Sequence, residues 1–151
     1  MRISEQGISL IRRCEGFSAE AYYCPAGKLT IGYGHVIQPH ESNLKPGISR
    51  DKAESLLWQD IQGTERAIAR LVAVSLTQSQ CDALIVFAYN IGIKAFEKST
   101  LLRLLNAGDY SAAANEFPRW VYANGVKLEG LVKRRVEEQA LFRASSEITT
   151  Q

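Results

Sequence analysis

Residues 14–35 read CEGFSAEAYYCPAGKLTIGYGH, and here the chain changes character. Upstream, Ile3, Gly7, Leu10 and Ile11 fall at helical spacing, so residues 3–13 read as a short amphipathic helix. From Ala21 onward, Tyr, Thr, Ile and Val alternate with Pro25, Gly27, Gly32 and Gly34. β-Branched and aromatic side chains suit a pleated surface, while Pro and Gly mark turns. The stretch predicts a hairpin or small sheet, with Pro25-Ala26-Gly27 at a turn. An acid, a thiol and a hydroxyl lie along it: Glu15, Cys24 and Thr30.

Downstream the pattern becomes helical and stays so. QPHESNLKPGIS reads as a polar loop with two prolines. Ser49 or Asp51 then caps a long helix, Asp51 being followed three residues later by Glu54 in the manner of a capping box. Ala53, Leu56, Leu57, Ile61, Ile68, Leu71 and Val72 carry its apolar stripe. Thr77 and Gln80 form a cleaner capping box, with Leu84, Phe87, Ala88 and Ile91 following. Ser99 or Thr100 opens LLRLLNAG, which Gly108 ends. Asp109 caps YSAAANEF, stopped near Pro118. A last helix covers residues 130–144, and SSEITTQ reads as a loose polar tail. The order predicts an α+β fold in two lobes: an N-terminal helix and sheet lobe over 1–48, a linking helix over 49–73 and a helical lobe over 76–145. A cleft is expected where the lobes meet.

Composition narrows the function classes. A chain of 151 residues, 46% hydrophobic, has enough apolar material for one compact core. A formal charge of +2 is too mild for a nucleic-acid binder but compatible with an anionic polymer such as a cell wall. Three cysteines with no CxxC pairing make a poor disulfide framework, so the thiols read as free and the compartment as reducing. Two histidines in unrelated contexts leave no zinc site, and no metal or cofactor is expected. No stretch approaches a membrane span, and Glu5 and Arg12-Arg13 interrupt any signal-like run, so neither anchor nor export signal is expected.

The spacing of the three polar residues is specific. Glu15, eight residues, Cys24, five residues, Thr30, within CEGF…AY…G…TIGYGH, resembles the phage-type lysozymes of the T4 lysozyme family, glycoside hydrolase family 24. LTQSQCDALIVFAYNIG, STLLRLLNAGDYSAAANEFPRW and LEGLVKRRVEEQALF resemble the family's C-terminal lobe. The resemblance spans roughly residues 5–143 and lies nearer the lambdoid-phage members. Many members carry Asp where this chain has Cys24. The resemblance implies a lysozyme-like two-lobed fold. It implies a muramidase cleaving the β-1,4 bond between N-acetylmuramic acid and N-acetylglucosamine of bacterial peptidoglycan. It also implies an inverting outcome, and a monomer held in the host cytoplasm until a holin opens the membrane.

Such a cleavage needs a proton donor at the leaving oxygen. Glu15, beside Cys14, Gly16 and Phe17, is the candidate, with apolar neighbours expected to favour its protonated form. Three readings of Cys24 stand: a thiolate helped by positive charge, a neutral group holding water, or a displaced carboxylate position whose task falls to Thr30. A Thr30 hydroxyl can orient water. Gly32 and Gly34 either let a glycan approach the strand or mark tight packing. By resemblance Gly34, His35, Val36, Tyr89, Asn90 and Ser99 face the substrate, although His35 also reads as a hydrogen-bonding residue that fixes the sheet. Arg134 or Arg135 is placed to pair with Glu15 or support the cleft, and Trp58 and Trp120 read as core or lobe-packing residues. Other classes remain open from the residues: a thiol peptidase or amidase using Cys24 with His35 as base, a wall-binding module without catalysis, and a lytic transglycosylase.

Overall fold

The computed structural model describes residues 1–148. Ser4 caps the first helix, α1 (Glu5–Glu15), its hydroxyl accepting from the Gly7 N–H. Ile8 and Ile11 are fully buried, and Gly16 in a left-handed conformation ends the helix. Glu15 is therefore the last helical residue rather than the first residue beyond the helix.

A three-stranded antiparallel sheet follows in chain order: β1 (Ser18–Tyr23), β2 (Leu29–Gly32) and β3 (His35–Val36). The register pairs Tyr22 with Thr30 and Thr30 with Val36. Between β1 and β2 the chain turns at Cys24–Gly27, where the Gly27 N–H donates to the Cys24 carbonyl at 2.8 Å. The expected proline-rich loop contains a 3-10 turn, Pro39–Leu44, because Glu41 reaches back to the Gln38 N–H and caps it.

Ser49, not Asp51, caps α2 (Arg50–Leu71), accepting from the Lys52 N–H at 3.1 Å. This helix packs on β2 and β3 along one side and on α3 (Gln78–Ile91) along the other. The Thr77/Gln80 capping box is formed in both directions. Residues Cys81–Ala88 are all buried, which makes α3 the centre of the helical layers. A short α4 (Ile93–Glu97) precedes α5 (Thr100–Asn106), capped by Ser99, and α6 (Tyr110–Ala114), capped by Asp109. α7 (Glu129–Ile148) packs along α3. It stays helical to Ile148, beyond the expected end, so the loose-tail expectation fails over 145–148; residues 149–151 lie outside the described residues.

Two arrangements differ from expectation. α1 packs on α3, so the N-terminal helix joins the helical layers. Between Trp120 and α7 the chain forms a hairpin, β4 (Tyr122–Ala123) and β5 (Val126–Lys127), where helices alone were expected. Asn124 (φ 50°) and Gly125 (φ 78°) make its tight turn, a pairing that suits the twist of a two-residue hairpin loop.

The core of the helical layers is aromatic. Phe87 meets Phe117 edge-on at 5.1 Å and Trp120 at 5.7 Å, and Phe117 touches Phe142 at 5.7 Å. Such tilted contacts align ring edges with ring faces and add to the area buried. Trp120 is a packing residue as expected. Trp58 is not, being 40% exposed on α2.

Candidate functional site

A cleft of about 840 Å³ opens between the sheet and the helical layers. Glu15, Cys24, Thr30, Gly34, Val36, Tyr89 and Asn90 all line it. Residues from both ends of the sequence thus share one concavity, because α1, α3 and α7 pack together and present their ends to the sheet.

Glu15 occupies its helical wall. The carboxyl is 16% exposed, and Oε2 accepts from Arg134 Nη1 on α7 at 2.5 Å. The expected apolar surround is replaced by a buried guanidinium. Arg134 is itself bound three ways: Nε donates to Glu138 at 3.1 Å, and Nη2 to the Val86 carbonyl at 3.1 Å. The Glu15, Glu138 and Val86 contacts fix the plane of the fork. Opposite lies the Tyr33-Gly34 turn joining β2 to β3. Gly34 has φ +79°, and a Cβ there would lie 2.5 Å from Glu15 Oε1. Gly32 has a different cause: its φ is +67° and a Cβ would press on Ala53 of α2 at 3.2 Å. Tight packing, rather than access for a ligand, accounts for Gly32.

Cys24 and Thr30 lie across the cleft on the sheet side. Burial alone pushes the Cys24 thiol up. Hydrogen bonds from the backbone of Lys28, Ala26 and Gly27 outweigh it, with Thr30 beside the sulfur adding to them, and the thiol lies below its ordinary value. The turn, and not a neighbouring cation, is the main cause. The Thr30 hydroxyl donates to the Lys28 carbonyl at 2.8 Å, which leaves its lone pairs as its remaining polar function. Thr30 is only 2% exposed, so it lies in the wall of the cleft and not in its open space.

The remaining expected residues divide. Tyr89 lines the cleft, and its hydroxyl donates to the Tyr33 carbonyl at 2.6 Å, joining helix to sheet. Burial, first of all, pushes that phenol well up. The Asn90 carboxamide oxygen accepts from Arg135, so its N–H₂ is the end that can reach a ligand. His35 and Ser99 do not line the cleft. His35 is pinned between carboxylates, with Nδ1 2.7 Å from Asp60 and Nε2 2.9 Å from Glu41. Those bonds raise it above an ordinary imidazole, the Asp60 bond being the largest cause. Its role is to fasten β3 to α2, and a Cys24–His35 pair is not assembled. Ser99 is spent on capping α5, accepting from the Leu102 N–H at 3.1 Å while donating to the Phe96 carbonyl.

Several lining residues were not singled out in the sequence. Tyr22 and Tyr122 also line the cleft, and Asn124 reaches from the β4–β5 turn to the Pro25 carbonyl at 2.7 Å. The dipeptide Asn124-Gly125, flanked by Tyr and Val, was the signal for that hairpin. Both Arg134 and Arg135 are buried, at 5% and 1% exposure, so neither is a solvated charge. Cys14, Cys24 and Cys81 are free thiols. Among the described residues no cluster suited to a metal ion occurs, and no helix is long and apolar enough to cross a membrane.

A sheet and a helical body enclosing a cleft, with a carboxyl on one wall and a thiol and a hydroxyl on the other, define a glycosidase-like site. The chain belongs to the phage lysozyme family, whose model matches residues 12–138. It is 45% identical over 149 residues to the endolysin of Acyrthosiphon pisum secondary endosymbiont phage 1, covering 96% of this chain and 100% of that one. It is 47% identical to the endolysin of Bacillus phage B103, of which it spans 54% while 94% of this chain is covered. Among solved structures, the muramidase domain of SpmX from Asticaccaulis excentricus superposes with a TM-score of 0.81 at 37% identity, covering 94% of this chain and 97% of that one.

Proposed function

We propose that this glycoside hydrolase cleaves bacterial peptidoglycan with Glu15 as the proton donor and with Cys24 and Thr30 at the water site. The observation that carries the reading is the placement of Glu15: a carboxyl in the cleft wall, free of any side chain at residue 34 and backed by Arg134. A muramidase must protonate the oxygen between N-acetylmuramic acid and N-acetylglucosamine as the bond breaks. When the proton leaves, Arg134 receives the carboxylate that remains. The carboxylate thus forms beside a fixed counter-charge, which needs no reorganisation during the step, and a proton from solvent restores the donor afterwards.

On the opposite side, Cys24 holds the attacking water and Thr30 accepts from it. Hydrogen bonds that favour its anion leave more of Cys24 as thiolate, the form that accepts from water, and attack from that face inverts the anomeric centre. Gly34, Val36, Tyr89 and Asn90 bound the sugar positions. The chain works as one two-lobed lysozyme-like domain and as a monomer. Its biological task is host lysis, with the enzyme waiting in the host cytoplasm until a holin releases it to the wall.

The test is turbidity loss of permeabilised Gram-negative cells with the parent, Glu15→Gln, Cys24→Ser and Cys24→Asp. Removing a general acid costs about a hundredfold or more, so Glu15→Gln is expected to be nearly inert. Cys24→Asp is expected to retain lysis, because a carboxylate serves the water site. Parental lysis by Glu15→Gln would overturn Glu15 as the acid. Anhydro-sugar ends among the products would replace hydrolysis by a transglycosylase reaction.

A further inference from the structure

Two polar groups on the helical wall of the cleft, Glu15 and Asn90, lead back to the same buried carboxyl. Glu138 is 0% exposed. Its Oε2 accepts from Arg134 Nε at 3.1 Å and its Oε1 from Arg135 Nη1 at 2.8 Å. Residues 134, 135 and 138 fall three and four apart on α7, which brings both guanidiniums to one side of Glu138. Arg134 continues to Glu15, and Arg135 continues to the Asn90 carboxamide oxygen. The Arg135 guanidinium also lies over the Phe87 ring at 5.0 Å. The two branches share a single root.

We infer that Glu138 is a positioning residue for the reaction, acting through Arg134 on Glu15 and through Arg135 on Asn90. The inference rests on Glu15 being the acid. Its first ground is geometric. A guanidinium is a planar fork, so tying Nε to Glu138 and Nη2 to the Val86 carbonyl leaves Nη1 one direction, toward Glu15. Its second ground is charge. Two buried cations need anions close by, and a buried cation left without one is costly. Glu138 provides the common anion. Without it both arginines would depend on Glu15 for their counter-charge. Around Glu15 stand Tyr22 from β1, Tyr89 from α3 and, before it on α1, Cys14; burial pushes all three up, so they stay neutral near neutral pH. Cys24 and Lys28 line the same cleft from the sheet side and Lys133 from α7. Arg13 on the rim is matched by Glu137 at 2.8 Å. Arg134 is thus the charge that Glu15 feels most closely, and Glu138 sets how much of it Glu15 receives.

The experiment measures turnover on purified peptidoglycan, as released reducing ends, across pH for the parent, Glu138→Gln, Glu138→Asp and Leu105→Ala. Leu105 is a buried α5 residue remote from the cleft and serves as a stability control. Glu138→Gln keeps the shape and removes the charge. It is expected to lower kcat at least tenfold and to move the alkaline limb of the profile toward acid by about one pH unit, the usual effect of a close charge. Glu138→Asp keeps the charge but withdraws it by one methylene, so kcat falls while the limb stays. Leu105→Ala lowers Tm and leaves the profile in place. A folded Glu138→Gln with parental kcat and limb overturns the inference, as does a loss that follows Tm alone, as in Leu105→Ala. If Glu138→Gln does not fold, Glu138→Asp decides: parental kcat there overturns the inference. An inert Glu15→Gln beside parental Glu138 variants removes the role of Glu138 alone, whereas an active Glu15→Gln removes the reading of Glu15.

Discussion

Gly34 and Glu15 share one volume: a Cβ on residue 34 would lie 2.5 Å from Glu15 Oε1 and 2.9 Å from its carboxyl carbon. The turn between β2 and β3 leaves its side chain out, and the acid at the end of α1 fills the space. Backbone conformation agrees with this, since φ at Gly34 is +79°. The proposed acid and the turn opposite it are therefore one packing unit.

Gly34→Ala is expected to fail on both counts. The left-handed backbone and the clash together destabilise the fold by about 1–3 kcal/mol. The displaced Glu15 loses lytic rate by at least about tenfold, since small errors in the position of a reacting group are expensive. Thermal melts and turbidity assays read the two effects. A variant with parental lysis and Tm would show that the turn yields without disturbing the acid.

The three thiols should alkylate in a fixed order. Cys24 is partly exposed and lies below an ordinary thiol. Burial pushes Cys14 up, and pushes Cys81 up to about 11. The thiolate is the species that reacts, so iodoacetamide near neutral pH should label Cys24 first and Cys81 last. Peptide mapping by mass spectrometry follows the order, and lysis should fall in step with Cys24 labelling. Labelling of Cys14 ahead of Cys24 would contradict the environment assigned to the turn.

His35 gives the fold a pH-dependent fastening. Its bonds to Asp60 and Glu41 raise it above the unfolded value of about 6.5. Its contribution is fully present below that value and is lost as pH rises through the folded one. Glu41 sets the acid end. Burial pushes it up, but the Gln38 N–H and His35 hold it below an ordinary glutamate, so its share disappears as pH falls through that lowered value. The difference in Tm between parent and His35→Asn should be widest in mildly acid solution and narrow toward alkaline pH. A difference that grows with pH would reverse the assignment.

Tyr89→Phe isolates the bond between helix and sheet. The hydroxyl that donates to the Tyr33 carbonyl disappears while the ring remains. The cost is expected at about 1 kcal/mol or slightly more, because the carbonyl loses its partner. Denaturant unfolding measures it. No change in midpoint would mean that solvent replaces the phenol without penalty.

Much of the chain's architecture is local chemistry and was legible as such. Thr77 with Gln80, Ser99 before LLRLL and Asp109 before YSAAA mark helix starts through side chains that reach N–H groups within three residues. The apolar stripes then fix which faces are buried. The Pro25-Gly27 turn follows from Pro25, which fixes its own φ, and Gly27, which accepts a φ of 82°. Even the missed hairpin had its local mark in Asn124-Gly125.

The site is different because its partners are remote in the chain. The sequence by itself determined the elements, the candidate acid and the thiol and hydroxyl that follow it. Only tertiary packing decided that Arg134 rather than Arg135 meets Glu15 across 119 residues, that Glu138 joins the two arginines, and that Asn124 meets Pro25 across 99 residues. It also turned His35 away from the cleft toward two carboxylates. The physical reason is range: caps, turns and periodicity act within a few residues, whereas the neutralisation of a buried charge depends on which surfaces the folded core brings together.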